Sequence, residues 1–302
     1  IAMALFPVWK SFWSWFLLRL FVGIGDHMLH FATQTWITDL SPQHKRGKNI
    51  AIYGLFFSLG FAVGPLLARI VQVNETYPFA ISSAITVIAW LAVLLIRNAR
   101  PDEEMETNQK GTFVRFLAVL KYAWVAMLPP LGYGFLEASL NGNFPVFALR
   151  NGMDIDAVSI ILPAFSIGAI LFQIPLGMLS DRYGRSLILK AIMAAGAIIF
   201  FISGLLQDSM IGLLICFTAA GMVVGSTFSL GISYMADLVP RDLLPAGNLM
   251  CGIFFSIGSM IGPFAGGLFI EYVSERGFFY LFSIMLTAIF TALFMFKEQR
   301  HT

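Results

Sequence analysis

Charge is scarce in this chain. Only 12% of its 302 residues are Asp, Glu, Lys or Arg, and the two signs nearly cancel to a net charge of +2. Soluble domains carry about 25% charged residues, so the scarcity argues against a surface built for water. The small net charge gives no case for nucleic acid as a partner. Cysteine is scarcer still: Cys216 and Cys251 each lie inside an apolar run. So placed, they read as small buried hydrophobes, which sets aside a disulfide framework and a thiolate metal centre. No metal-ligand spacing, no nucleophile–base cluster and no G-x-x-x-x-G-K-[ST] phosphate loop is present. The sequence therefore offers no catalytic residue, no metal site, no cofactor and no visible means of using ATP. It does not read as an enzyme.

What is abundant is apolar: 58% of the residues are hydrophobic and 30 are phenylalanine. Soluble domains hold about 45–50% apolar residues, and a single water-soluble core of this size cannot hide the excess. A bilayer can, because about 20 mostly apolar residues in a helix cross it while satisfying their own backbone groups. The sequence predicts an all-α membrane protein with nine full spans, at 11–39, 49–72, 77–97, 117–148, 156–180, 187–206, 210–237, 245–271 and 277–297. Residues 1–9 read as the last turns of an earlier helix, too short and too aromatic for a signal peptide. The one extended polar stretch, NARPDEEMETNQKGT at 98–112, reads as a linker. It separates a first bundle at 1–97 from a second at 117–302, the linker itself being taken as 98–116.

Lysine and arginine gather on alternate connections: Lys45, Arg46 and Lys48; Arg97, Arg100, Lys110, Arg115 and Lys121; Arg182, Arg185 and Lys190; Arg241; Lys297 and Arg300. The opposite connections hold Lys10, Arg150 and Arg276. These residues favour the cytoplasmic side of a membrane. The bias predicts a multi-pass protein of the cell membrane with the linker, the loop near 180 and the C-terminus in the cytoplasm.

The chain also repeats itself. YGLFFSLGFAVGP at 53–65 aligns without a gap on CGIFFSIGSMIGP at 251–263, an offset of 198 residues (53 to 251). In the same register Asp39, Leu40 and Pro42 match Asp237, Leu238 and Pro240, and Gly23 matches Gly221. Structural repeats with the substrate site between the halves are a frequent plan of secondary transporters. Two such units imply a parent of about 396 residues. The expectation is an N-terminal truncation of about 95 residues, leaving out two helices and most of a third.

Three stretches then resemble a known family. GMLSDRYGR, from Gly177 to Arg185, matches the loop motif G-x-L-x-D-R-x-G-R of the major facilitator superfamily. Arg19-Leu-Phe-Val-Gly23 resembles the R-x-x-x-G core of that family's helix 4, with Val22 where a glutamine often stands. GLFFSLGFAVGP, Gly54 to Pro65, resembles the glycine- and proline-rich helix 5 motif of antiporters, with Leu67 and Ala68 in place of its usual glycine pair. GPFAGG at 262–267 keeps that pair. The resemblance covers the whole chain and points to a bacterial drug:proton antiporter of the twelve-helix type. It implies two six-helix bundles, here about helices 4–12 plus the end of helix 3, with helices 4, 7 and 10 lining a central cavity.

Candidate residues fall into three groups. Arg19, Gly23, Asp26 and His30 form one helical stripe with Gln34 at its edge, and Tyr133, Glu137 and Asn141 recur at four-residue spacing on another helix. Ionisable groups inside a span face the bundle interior or water and mark ion or substrate paths, and histidine titrates near neutral pH. These are the cavity and proton-coupling candidates. A self-neutralised structural network remains the plainer reading of the stripe, and a hydrogen-bonded packed carboxylate that of Glu137. The gating group is Gly177, Asp181, Arg182, Gly184, Arg185, Asp39 and Asp237: Asp237 can pair with Arg182 or Arg185 to form an interhelical latch, against the plainer reading of topology charge alone. The third group packs helices: Gly54, Gly60, Gly64 and Pro65, with Gly258, Gly262 and Pro263 in the second copy. The 30 phenylalanines are assigned mainly to lipid contact.

The reading is a secondary active transporter exporting small amphipathic or drug-like molecules against proton entry by alternating access. The expected partners are the substrate, protons and the lipid bilayer, and the expected state is a monomer. Two alternatives stay open: a proton-coupled uptake symporter for a sugar or metabolite, and a non-transporting membrane sensor or scaffold.

Overall fold

Long apolar runs become long helices. The computed structural model describes residues 2–9, 11–68, 74–95, 111–273 and 277–296, and no strand occurs among them. The helices are α1 (Ala2–Leu5), α2 (Phe12–Leu40), α3 (Arg46–Ala68), α4 (Tyr77–Val93), α5 (Thr112–Arg150), α6 (Ile155–Tyr183), α7 (Arg185–Leu205), α8 (Met210–Val224), α9 (Thr227–Leu238), α10 (Leu244–Leu268) and α11 (Gly277–Met295). Six segments among the described residues are long and apolar enough to cross a membrane: Phe113–Arg150, Ala157–Tyr183, Arg185–Leu205, Met210–Leu238, Arg241–Val273 and Gly277–Met295. α2 has the length, at 29 residues, but carries Arg19, Asp26, His27, His30 and Asp39; α4 has 17 residues. Most of the linker lies outside the described residues, as do Lys10, Arg69, Arg97, Arg100, Lys110, Arg276, Lys297 and Arg300.

Two departures from the expected spans have local causes. The run at 210–237 is two helices, because Gly225 and Ser226 form a turn between α8 and α9. Nothing in the apolar pattern marks this break, since both residues are tolerated in spans. α5 begins inside the linker region and kinks at Ala123 (φ −139°, ψ 26°), so its first turns and its membrane portion run in different directions. Pro129, Pro130 and Pro145 lie further along it.

The chain groups into two units, residues 1–33 with 60–110 and residues 34–59 with 111–302. In the first, α1 packs on α4: Phe6 stacks on Phe79 (5.6 Å between centroids, 9° between planes), and Trp15 Nε1 donates to the Phe6 carbonyl at 3.1 Å.

The second unit is built on the pairs α5–α10, α6–α8 and α7–α11. Small residues set their spacing, as in membrane bundles, where van der Waals packing substitutes for the missing hydrophobic drive. A Cβ on Gly258 would lie 2.8 Å from Phe135 N, and one on Gly262 would lie 2.6 Å from Ser139 Oγ and 2.9 Å from Phe135 Cα. These two packing glycines are thus required on α10. Pro263 follows them within the helix. Lipid contact does not account for the largest aromatic group: Phe144, Phe147, Phe200, Phe217, Phe278, Phe279 and Phe282 are all buried, below 2% exposure. Their rings meet at distances such as 4.6 Å (Phe144–Phe217) and 4.9 Å (Phe278–Phe282). Against a lipid reference this interior gains from dispersion and ring geometry rather than from escape from water.

Candidate functional site

The loop motif folds into an ionic cluster. α6 ends at Tyr183, and Gly184 follows with a φ of 95°, a region open to glycine and strained for other residues. α7 starts at once with Arg185, whose guanidinium turns back onto the last turn of α6 and donates to Asp181 Oδ1 at 2.8 Å. The two side chains are 6% and 8% exposed. Arg185 also donates to the Gln43 carbonyl at 2.9 Å and, through Nη1, to Asp237 at the end of α9. Of the two arginines expected to meet Asp237, it is Arg185 that does so. Arg182 is exposed and lies over the Tyr183 ring at 5.3 Å.

A fourth charged residue completes the cluster. Arg46, at the start of α3, donates to Asp237 Oδ1, to the Ala236 carbonyl and, through Nε, to the Thr38 carbonyl, each at 3.2 Å. Arg46, Asp237, Arg185 and Asp181 therefore alternate in sign and sum to zero. Asp181 has a further role: its Oδ1 and Oδ2 accept the backbone N–H groups of Gly47 and Lys48, both at 2.9 Å. The first turn of a helix leaves such donors without intrahelical partners and carries partial positive charge. Asp181 thus caps α3 from another helix. Asp39 is exposed near the end of α2, and the cluster is built without it.

Glycines permit this approach. A Cβ on Gly177 would sit 2.6 Å from Ala51 Cβ and 2.8 Å from the Gly47 carbonyl oxygen. One turn further along the same contact, a Cβ on Gly54 would strike Gln173 and lie 2.5 Å from Ser229 Oγ, where Gln173 Nε2 donates to Ser229 Oγ at 2.8 Å. A Cβ on Gly60 would meet nothing within 4 Å among the described residues. The backbone of Gly64 and Pro65 lies within α3, and their surroundings fall outside the described residues. Beside the cluster, Asn248 on α10 donates to Thr38 Oγ1 at 2.9 Å.

Arg46, Gln173, Thr38 and Asn248 are all contacts that sequence reasoning passed over. Arg46 counted only as topology charge. Gln173 and Asn248 are amides inside apolar runs, a signal that intramembrane polarity does provide.

The cavity candidates Tyr133, Glu137 and Asn141 lie on α5. Glu137 is half-buried, and among the described residues its carboxylate makes no hydrogen bond or ion pair; its backbone carbonyl accepts from Asn141 Nδ2 at 2.9 Å. One turn earlier, Tyr133 faces Phe228 of α9 (6.5 Å between centroids) and Phe255 of α10 (6.3 Å), and those two rings meet edge to face at 5.2 Å.

Of the stripe on α2, the structure joins Asp26 and His30, with Nε2 to Oδ1 at 3.4 Å. Arg19, Gly23 and Asp26 are exposed, and a Cβ on Gly23 would meet nothing within 4 Å among the described residues. Gln34 is buried. Among the described residues no group of three or more His, Cys, Asp or Glu side chains is placed to hold a metal ion.

Comparison with known proteins fits this architecture. Residues 1–156 and 131–302 both match the Major Facilitator Superfamily pattern. The chain is 52% identical over 295 residues to the uncharacterized MFS-type transporter YfkF of Bacillus subtilis (strain 168), covering 97% of this chain and 75% of that protein. It is 22% identical over 298 residues to the MFS-type transporter YcaD of Escherichia fergusonii, covering 97% and 74%. Among solved structures, the Escherichia coli fucose:proton symporter FucP superposes with a TM-score of 0.75 at 14% identity, covering 97% of this chain and 79% of that one. The human organic anion transporter MFSD10 superposes with a TM-score of 0.73 at 17% identity, covering 97% and 74%. The sequence match at both ends of the chain, the identity to YfkF and the shared fold make this chain a member of the Major Facilitator Superfamily, a multi-pass membrane transporter and not an enzyme.

Proposed function

We propose that the protein exports small amphipathic molecules in exchange for protons, by alternating access between two six-helix bundles. The ionic cluster is the observation that carries this reading. In the 198-residue repeat, α2 to α4 belong to the first bundle (1–97) and α5 to α11 to the second (117–302), joined by the linker at 98–116. Arg46, Gly47 and Lys48 then contribute from the first bundle, and Asp181, Arg185 and Asp237 from the second. The arginine-rich connections put the cluster, the linker and the C-terminus on the cytoplasmic side. A neutral, desolvated ring of charge there closes the cytoplasmic entrance, and a transport cycle has to open it. Charge-assisted hydrogen bonds contribute about 1.5–3 kcal/mol each, enough to favour one access state and few enough to be broken on each turn of the cycle.

The carboxylates inside the spans supply the coupling. Glu137, with Tyr133 and Asn141 on the same helix, and the Asp26–His30 pair, with Arg19 and Gln34 on the same helix, are the groups that handle protons and substrate. A transporter with no nucleotide site draws on a gradient, and a carboxylate in apolar surroundings takes up a proton readily. The protein works as a monomer in the plasma membrane. The reading is tested in proteoliposomes of the full chain with a pH dye inside: amphipathic substrate moving one way must drive protons the other way. Substrate and protons moving together would replace exchange by symport.

A further inference from the structure

We propose that the first turns of α5 form a lipid-binding element that lies in the headgroup layer of the bilayer and selects anionic phospholipid. This goes beyond the export reading and does not depend on it. α5 has 39 residues and kinks at Ala123. The 27 residues past the kink, 124–150, rise roughly 40 Å, already more than the hydrocarbon thickness of about 30 Å. The turns before the kink therefore lie outside the hydrocarbon, and they run in another direction. Their inner face is docked: Val119 is fully buried, and Arg115 Nη2 donates to the Asp242 carbonyl at 2.9 Å. Asp242 lies in the turn that follows α9, so this segment sits at the membrane face that carries the ionic cluster.

The outer face is apolar and ends in a cation. Phe113, Leu117 and Lys121 recur at four-residue spacing with Val114 beside them, and all four are exposed. Such a stripe is unfavourable in water and is stabilised when it dips into the boundary between headgroups and acyl chains. Just past the kink Trp124 is exposed as well, and its ring meets Phe296 edge to face at 6.0 Å. Tryptophan and lysine together mark headgroup depth: the ring sits at the interface, and the lysine stem runs along apolar surface to bring its ammonium to the phosphates. The sign of the charge chooses the lipid. Residues 111–124 contain Arg115 and Lys121 and no acidic residue. The turn that Arg115 grips adds an exposed Arg241 beside the half-buried Asp242. Each lysine or arginine near an anionic membrane surface favours association by about five-fold.

The test places the fluorophore NBD on Leu117→Cys of the full chain in phosphatidylcholine nanodiscs. The native Cys216 and Cys251 are buried, which leaves the introduced thiol as the labelling site. Increasing amounts of a lipid with a nitroxide near the headgroup end of its acyl chain are then added, as phosphatidylglycerol or as phosphatidylcholine. Both should quench the label, and the phosphatidylglycerol form should reach half-quenching at a concentration lower by about five-fold or more. Lys121→Arg should keep that preference, Lys121→Gln should lose most of it, and Lys121→Gln with Arg241→Gln should bring the two lipids level. Single-peak elution of each variant on size exclusion separates a lost lipid contact from lost folding. No quenching by either lipid would overturn the proposal: blue-shifted emission would then mean that another protein surface covers the stripe, and red-shifted emission that water does. Equal quenching by the two lipids in the parent chain, or a preference for phosphatidylglycerol that the double variant retains, would overturn the anionic selectivity.

Discussion

Replacing Arg185 with alanine should unlatch the ionic cluster. The guanidinium makes a 2.8 Å bond to Asp181, a 2.9 Å bond to the Gln43 carbonyl and the direct pair with Asp237, all at 6% side-chain exposure. The partners are not left wholly orphaned. Asp181 keeps the N–H groups of Gly47 and Lys48, and Asp237 keeps Arg46 at 3.2 Å. The lower end of the range for breaking a buried pair therefore applies, about 3 kcal/mol. That is a change of about 150-fold in the equilibrium between closed and open forms. A closed form favoured about 100-fold would fall to near parity in the variant. Spin labels at Lys48→Cys and Arg182→Cys read this directly. Both positions are exposed, one beside the Asp181 contact on α3 and the other at the end of α6. In nanodiscs, the distance distribution of the parent pair should be short and single. With Arg185→Ala, a longer component should approach half the population. An unchanged distribution in a folded Arg185→Ala protein would refute the latch.

Other perturbations follow from the same geometry. Asp181→Asn removes the charged cap of α3 and should abolish most transport, whereas Asp39→Asn, on an exposed carboxylate, should transport normally; normal transport by Asp181→Asn would count against the latch. Gly54→Leu drives a side chain into Gln173 and Ser229 and should shift the same label pair toward the long distance, while Gly60→Ala should leave it unchanged. Gly258→Val forces α5 and α10 apart and should lower the melting temperature in detergent by several degrees, a cost on the scale of about 1–3 kcal/mol for overpacking. If Asp26→Asn and His30→Ala each retain pH-driven transport at the parent rate, the α2 pair is structural and Glu137 alone carries the coupling.

The helices and the loop motif were legible in the sequence because each depends on near neighbours. Asp181 and Arg185 are four residues apart, so their pairing follows from spacing on either side of a glycine turn. Asp237 was legible as a partner because the 198-residue register set it opposite Asp39 at a helix end, although only one of those two joins the cluster. Arg46 was not, since its bond to Asp237 spans 191 residues and exists only once α3 meets α9. The same limit separates Gly54, pressed against two side chains, from Gly60, which meets nothing: spacing makes them equal and packing does not. Phenylalanine shows it again, because composition assigns the ring to lipid or core indifferently. Only the meeting of α5, α8 and α11 puts Phe144, Phe217 and Phe279 together.

Exchange of an amphipathic substrate for protons is the central claim, and counterflow in proteoliposomes tests it most directly. Full-length protein is reconstituted with a pH dye in the lumen, and substrate is loaded on one side with no imposed proton gradient. Downhill substrate movement should drive protons in the opposite direction, and Glu137→Gln should abolish the signal. Protons moving with the substrate, or substrate movement without any proton signal in the parent protein, would contradict the account.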